Sequence, residues 1–144
     1  MRDTRVILLA EDDVIDQQTI KRAFKELRIA NQLVVTNNGE DALSYLQNMA
    51  NQRPCVILLD LKMPKMNGLE LLGVMKADEK LKVIPVIVFT SSNEERDKIT
   101  SFGLGVAGYI VKPADYKKFI EAMRTIDIYW TLSELPPELR SGED

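Results

Sequence analysis

The chain has 144 residues, 45% of them hydrophobic and 28% charged, which suits a single soluble core and argues against disorder. Its net charge of −3 at pH 7, with no lysine–arginine block, argues against nucleic acid as a primary partner, because duplex binding rests on neutralising phosphates. Histidine is absent, which removes histidine triads, histidine metal sites and phosphohistidine from this chain, so any phosphoryl acceptor has to be a carboxylate or a hydroxyl.

The opening segment, MRDTRVILLAEDD, has a basic flank, but its apolar stretch ends in acid after about five residues, too short for a secretory leader. Val6 to Ala10 reads instead as a first strand. No apolar run reaches the roughly 18 residues of a membrane span, and without an export signal a cytoplasmic setting is expected. Ile20, Ala23, Phe24 and Leu27 recur on one helical face. Gln32 to Thr36 is a weaker apolar run and reads as an edge strand. Asn38-Gly39-Glu40-Asp41 looks like a helix start, with Ala42, Leu43, Leu46 and Met49 as its apolar face. Cys55 to Leu59 is the third strand, and Cys55, the only cysteine, is expected to pack there as a small hydrophobe. Leu69, Leu72 and Met75 mark a third helix, and Pro85 to Phe89 a fourth strand. Ser92-Asn93-Glu94-Glu95 fits a capping box opening a fourth helix, whose apolar face is little more than Ile99 and Phe102. Val106 to Val111 is the fifth strand. Phe119, Ile120, Met123 and Ile126 form the stripe of a fifth helix, which Pro136-Pro137 ends. Residues 1–135 thus read as one domain and 136–144 as a flexible tail.

Four of the five strand runs are near-continuously apolar rather than alternating, as strands buried on both faces of a parallel sheet require. An α/β chain of this order predicts that sheet, with helices on both faces and right-handed crossovers. The crevice of such a fold lies beyond the carboxyl ends of its strands. The first run ends in Glu11-Asp12-Asp13, the third in Asp60, the fourth in Thr90-Ser91-Ser92 and the fifth in Lys112-Pro113.

Two carboxylates about 4 Å apart repel by roughly 4 kcal/mol at an effective dielectric near 20. Converging acids therefore raise their own pKa values or recruit a cation. Oxygen-only donors favour a hard ion, and Mg²⁺ fits. Lys112 adds a second positive charge and Thr90 a hydrogen-bond donor, which together suit a transferring phosphoryl group. Each feature alone has a plainer reading. Asp13 serves as a helix N-terminal charge, Asp60 as a turn residue and Lys112-Pro113 as a loop. Their conjunction at four of five strand ends favours a site.

These residues, with Asp60-Leu61-Lys62-Met63-Pro64-Lys65-Met66-Asn67-Gly68 after the third strand, resemble the receiver domains of bacterial two-component response regulators. The likeness is to the single-domain chemotaxis type and covers about residues 4 to 130; its D-x-x-M-P-x-x-x-G run is the most specific part. It implies a flavodoxin-like, doubly wound sheet of five parallel strands in the order 2-1-3-4-5. It further implies that Asp60 is the phosphoacceptor, a carboxylate nucleophile. Asp12, Asp60 and the Lys62 backbone carbonyl would bind Mg²⁺, with Glu11 acting mainly through water. Lys112 would pair with Asp60 before reaction and with a phosphoryl oxygen after it. The Thr90 hydroxyl would reach another phosphoryl oxygen, backbone N–H groups near Lys62 and Ser91 would complete the cradle, and the Lys112–Pro113 peptide would be cis.

Tyr109 matches the family's switching aromatic. Once Thr90 is drawn to the phosphoryl group it would turn inward, altering the face of the fourth helix, fifth strand and fifth helix; the plainer alternative is a half-buried strand tyrosine. Lys62 stands at the mouth of the site, where it either biases the hydrolytic water or is only solvated surface. The resemblance implies a sensor histidine kinase as donor and a downstream target or phosphotransfer protein as reader. The end of the fifth helix, Ile126 to Leu132, is similar to that of small regulators partnering phytochrome-type kinases. Tyr129 and Trp130 there either fold back on the core or serve as homodimer or partner contacts, as would the face that Tyr109 alters.

Other functions fit less well. A haloacid-dehalogenase-type phosphatase wants a second Asp where Lys62 stands. In a flavodoxin the acids after the first strand would repel the flavin phosphate, and no P-loop is present. No output domain follows the fifth helix, which favours a stand-alone domain over a DNA-binding regulator. A pseudo-receiver, an interaction module without phosphorylation, remains as the rival; such domains lose the acceptor, an acid or the lysine, and none is missing here. A turnover enzyme is not expected, only a domain that catalyses its own phosphorylation and dephosphorylation.

Overall fold

Parallel pairing of the short apolar runs organises the chain. A computed structural model describes residues 5–90, 103–112 and 115–132, and within them five strands and four helices. These are β1 (Ile7–Ala10), α1 (Val14–Glu26), β2 (Leu33–Thr36), α2 (Gly39–Gln47), β3 (Val56–Asp60), α3 (Gly68–Lys76), β4 (Val86–Thr90), β5 (Gly108–Val111) and α4 (Tyr116–Leu132). The last helix is the fifth of the sequence reading. The expected fourth helix, over Ser92 to Phe102, lies outside the described residues. So do Ser91, Pro113 with its peptide geometry, and the tail over residues 136–144.

All five strands pair in parallel in the order β2-β1-β3-β4-β5, with β2 at an edge. Successive residues of each strand point to opposite faces, so a continuous apolar run supplies two cores at once. Ile7, Leu9, Leu58 and Phe89 pack with Ile20, Ala23 and Phe24 of α1 and Phe119, Ile120 and Met123 of α4. Leu8, Ile57, Leu59 and Val88 pack with Ala42 of α2 and Leu71, Leu72 and Met75 of α3. Helices therefore cover both faces. Cys55 is buried in the first of these clusters, just before β3. Among the described residues no helix is long and apolar enough to cross a membrane.

Met49 departs from its expected place on the apolar face of α2. That helix ends at Gln47, Asn48 turns to an extended conformation as its C-cap, and Met49 is left 86% exposed. The strand bounds also move. β3 and β4 each run one residue past their apolar runs to include Asp60 and Thr90, because ladder geometry rather than hydropathy ends a strand.

The loop after β3 is held at both ends by glycine. A Cβ on Gly68 would stand 2.5 Å from the Asp60 carbonyl oxygen and 2.7 Å from Leu61 Cα, while the Gly68 N–H donates to the Leu61 carbonyl at 3.0 Å. A Cβ on Gly39 would collide with the Met66 carbonyl, to which the Gly39 N–H donates at 2.8 Å. Asn67 then caps α3 through a reciprocal box with Glu70. The final glycine of the motif is thus the residue that lets α3 start against the end of β3. Gly68→Ala is expected to cost about 2 kcal/mol, within the range for overpacking a close contact. Calorimetry should then show a thermal midpoint lower by about 6–8 °C; a midpoint within about 1 °C of wild type would mean that the loop gives way freely.

Candidate functional site

Strand register decides which acids meet. Ala10 of β1 is level with Leu59 of β3, so Glu11, the next residue, is carried alongside Asp60. The Glu11 N–H donates to the Thr36 carbonyl at 3.0 Å, extending the sheet pairing past β1, and the residue is only 1% exposed. The Gln17 side chain donates to the Glu11 carbonyl and to Asn37 Oδ1, which ties this turn to the end of β2. Asp12 follows as an exposed residue. Asp13 caps α1, its carboxylate accepting from the Ile15 and Asp16 N–H groups at 2.8 and 3.1 Å.

Carboxylate oxygens of Glu11, Asp12 and Asp60 all lie within 4.8 Å of one another. Lys112 reaches them from the end of β5, two strand spacings or about 10 Å from β3, a span that takes a long side chain. Its ammonium lies 2.9 Å from Glu11 Oε1, 3.0 Å from Asp16 Oδ2 and 3.3 Å from Asp60 Oδ2. The other Asp60 oxygen, Oδ1, accepts from the Lys62 N–H at 3.4 Å. Asp60 is thereby oriented at both oxygens.

The structure brings together Glu11, Asp12, Asp60, Lys112 and the Lys62 N–H, the expected carbonyl of Lys62 not being among these contacts. Thr90 closes β4, but its side chain lies outside the described residues. Tyr109 is half-buried on β5 and packs with the cluster under α2 and α3. The Tyr129 and Trp130 side chains also lie outside the described residues. Asp16, the second contact of the Lys112 ammonium, was not singled out from the sequence. Its signal was there in retrospect: an acid three residues after the N-cap Asp13, on the first turn of α1.

Burial raises the Glu11 carboxyl from 4.5 to about 8, and a hydrogen bond with Asp60 adds to the effect while Lys112 pulls against it. Burial also works against the Lys112 charge, but hydrogen bonds with Glu11 and Asp16 and the nearby Asp60 outweigh it, holding the ammonium above its ordinary range.

The donor set is oxygen alone, and Cys55, the one thiol, sits at the opposite end of β3. Such a set fits a hard divalent ion better than a soft one.

Comparisons with known proteins identify the fold that carries this arrangement. Residues 7–124, well over half of the chain, match the response regulator receiver domain. The chain belongs to that family. It is 35% identical over 130 residues to the response regulator Rcp1 of a Synechocystis strain, covering 88% of each chain. Among solved structures it is similar to the phosphorylated cyanobacterial phytochrome response regulator RcpA, with a TM-score of 0.82 and 34% identity over 93% of this chain and 99% of that one. The Mn²⁺-bound form of Rcp1 matches with a TM-score of 0.80 and 35% identity over 91% and 98%. The fold is the flavodoxin-like one of receiver domains, and the chain is a receiver domain of a two-component response regulator.

A receiver with a buried acidic cluster carries an electrostatic cost that depends on pH. An unfolded glutamate titrates near 4.5 and the folded Glu11 near 8, so between these values the folded chain holds one proton more. The contribution of Glu11 to stability therefore falls as pH rises through that window. Glu11→Gln has no such proton to lose. Without divalent ions it is expected to raise the thermal midpoint by several degrees at pH 9 and by about 1 °C or less at pH 5. Equal shifts at both values would show that burial of Glu11 carries no such cost.

Proposed function

We propose that the chain accepts a phosphoryl group on Asp60 from a phosphohistidine of a sensor histidine kinase and signals by a change of shape. The observation that supports this best is the Asp60 carboxylate, within 4.8 Å of two further acids at one oxygen and 3.3 Å from an ammonium at another contact. A lone turn aspartate has no use for such surroundings.

In the step proposed, an Asp60 oxygen attacks phosphorus, an O–P bond forms and the N–P bond of the donor breaks. The bonding pair returns to the imidazole nitrogen, which takes a proton from solvent. Lys112 is charged and already in contact, so it meets the developing charge on the phosphoryl oxygens without reorganisation. The Lys62 N–H holds Asp60 Oδ1 and so limits its rotation. The Thr90 hydroxyl and the N–H groups near Lys62 and Ser91 are the further donors of this reading. Asp12, Asp60 and the Lys62 carbonyl would hold Mg²⁺, with Glu11 acting through water; the ion would supply charge neutralisation on the transferring group. Reversal of the modification replaces the acyl O–P bond with one to water, giving inorganic phosphate and the free carboxylate. The only group turned over is the domain's own side chain.

The likeness to phytochrome response regulators makes a phytochrome-type kinase the donor of choice, with a downstream protein as the reader. Incubation with acetyl phosphate and Mg²⁺, followed by intact mass, is expected to add one phosphoryl group to wild type and none to Asp60→Asn. Omission of Mg²⁺ should abolish the labelling. No labelling under any condition would leave a pseudo-receiver, an interaction module without phosphorylation.

Tyr109 is proposed to report the switch. Its half-buried ring leaves the reading open to movement in either direction. Phosphorylation is expected to shift the Tyr109 ring resonances in NMR spectra, and unchanged resonances in fully labelled protein would rule out its part in signalling.

A further inference from the structure

At three helix starts the third residue after the N-cap is an acid, Asp16 in α1, Asp41 in α2 and Glu70 in α3, and each is put to different use. In α3, Glu70 stands three residues after the N-cap Asn67 and its carboxylate accepts from the Asn67 N–H at 3.2 Å. In α1, Asp16 stands three residues after the N-cap Asp13, but its side chain is one carbon shorter than the Glu or Gln that closes a capping box. There the Asp13 N–H donates to Glu11 Oε2 at 3.2 Å. The Asp16 carboxylate meets the Lys112 ammonium at 3.0 Å, closer than Asp60 at 3.3 Å and nearly as close as Glu11 at 2.9 Å. The Lys112 side chain also borders a cavity of about 250 Å³ lined by Asp16, Arg22 and Tyr116, between α1 and α4. The ammonium thus has in Asp16 a partner other than Asp60, and a cavity beside it that Asp60 does not line.

We propose that Asp16 is a positioning residue for phosphoryl transfer: it draws the Lys112 ammonium toward the first turn of α1 and competes for it with Asp60 and, after transfer, with the phosphoryl oxygens. This rests on the reading of Asp60 as phosphoacceptor. Asp16 touches neither the acceptor nor the transferring group in this account and acts only through Lys112. Its charge sets how much of a single cation the reaction commands, so it restrains both formation and hydrolysis of the acyl phosphate, since both pass through charge build-up on the same oxygens.

Asp16→Asn keeps the size of the side chain and removes its charge. The rate of labelling by acetyl phosphate with Mg²⁺, and the rate of label loss once donor is removed, are each expected to rise about three- to fivefold, as the release of one partly exposed ion pair allows. Asp16→Glu, which restores the charge, should return both rates to within about twofold of wild type. Asp13→Asn removes the same charge from the same helix start while remaining a good cap, and should leave both rates within about twofold. In the unphosphorylated protein the Lys112 ammonium resonance should move in Asp16→Asn and stay in Asp13→Asn, a signature that loss of helix stability alone would not produce. If wild type is labelled but Asp16→Asn matches it or is slower in both rates, Asp16 does not restrain the cation and the inference is overturned. Equal acceleration by Asp13→Asn would overturn it too, by assigning the effect to net charge. An unlabelled wild type would instead remove the phosphoacceptor reading, and this inference with it.

Discussion

One ammonium in contact with three carboxylates is the interaction on which the site depends. Glu11 and Asp60 are both almost fully buried, and their oxygens approach one another closely. With both ionised and no cation between them, repulsion at this range would amount to several kcal/mol, comparable to a large part of the stability of a domain this size. Lys112 makes their approach tolerable and yet leaves the cluster with excess negative charge. That excess is what disposes the pocket toward a divalent ion. A fully neutralised cluster would have no such appetite.

The arrangement also explains why the sheet is built to such close tolerance around these residues. Pairing of β1 with β3 brings Glu11 beside Asp60, and the two glycine contacts, Gly68 with the Asp60 backbone and Gly39 with Met66, fix the loop that follows. Each of these is a contact between backbone atoms, indifferent to charge. Rigid backbone contacts hold acids at distances that their own electrostatics would oppose, and strain of that kind is what a functional site is expected to carry.

Much of this was legible in the sequence because strands buried on both faces are written as unbroken apolar runs, and their ends are where polar residues first appear. Asp60 after Val56-Ile57-Leu58-Leu59 and Lys112 after Ile110-Val111 could be found that way, as could the strand order once the motif after Asp60 was matched. Met49 was misplaced because periodicity continues on paper past the point where Asn48 leaves the helix. Asp16 was missed for a different reason. Its partner lies 96 residues away, and only the folded sheet brings the two together. No local pattern encodes a contact across that separation. The second duty of Gly39, packing on Met66 besides opening α2, is hidden for the same reason.

The separation of these residues along the chain has a bearing on biosynthesis. Glu11 and Lys112 stand 101 positions apart, and β4 lies between the strands that bear Asp60 and Lys112. Contacts between such distant residues form only after the ends of a long loop have been brought together. During translation the acids emerge first and remain without their counter-charge until β5 has docked along β4. A growing chain therefore completes this charge cluster only once β5, the last of the five described strands, has been made.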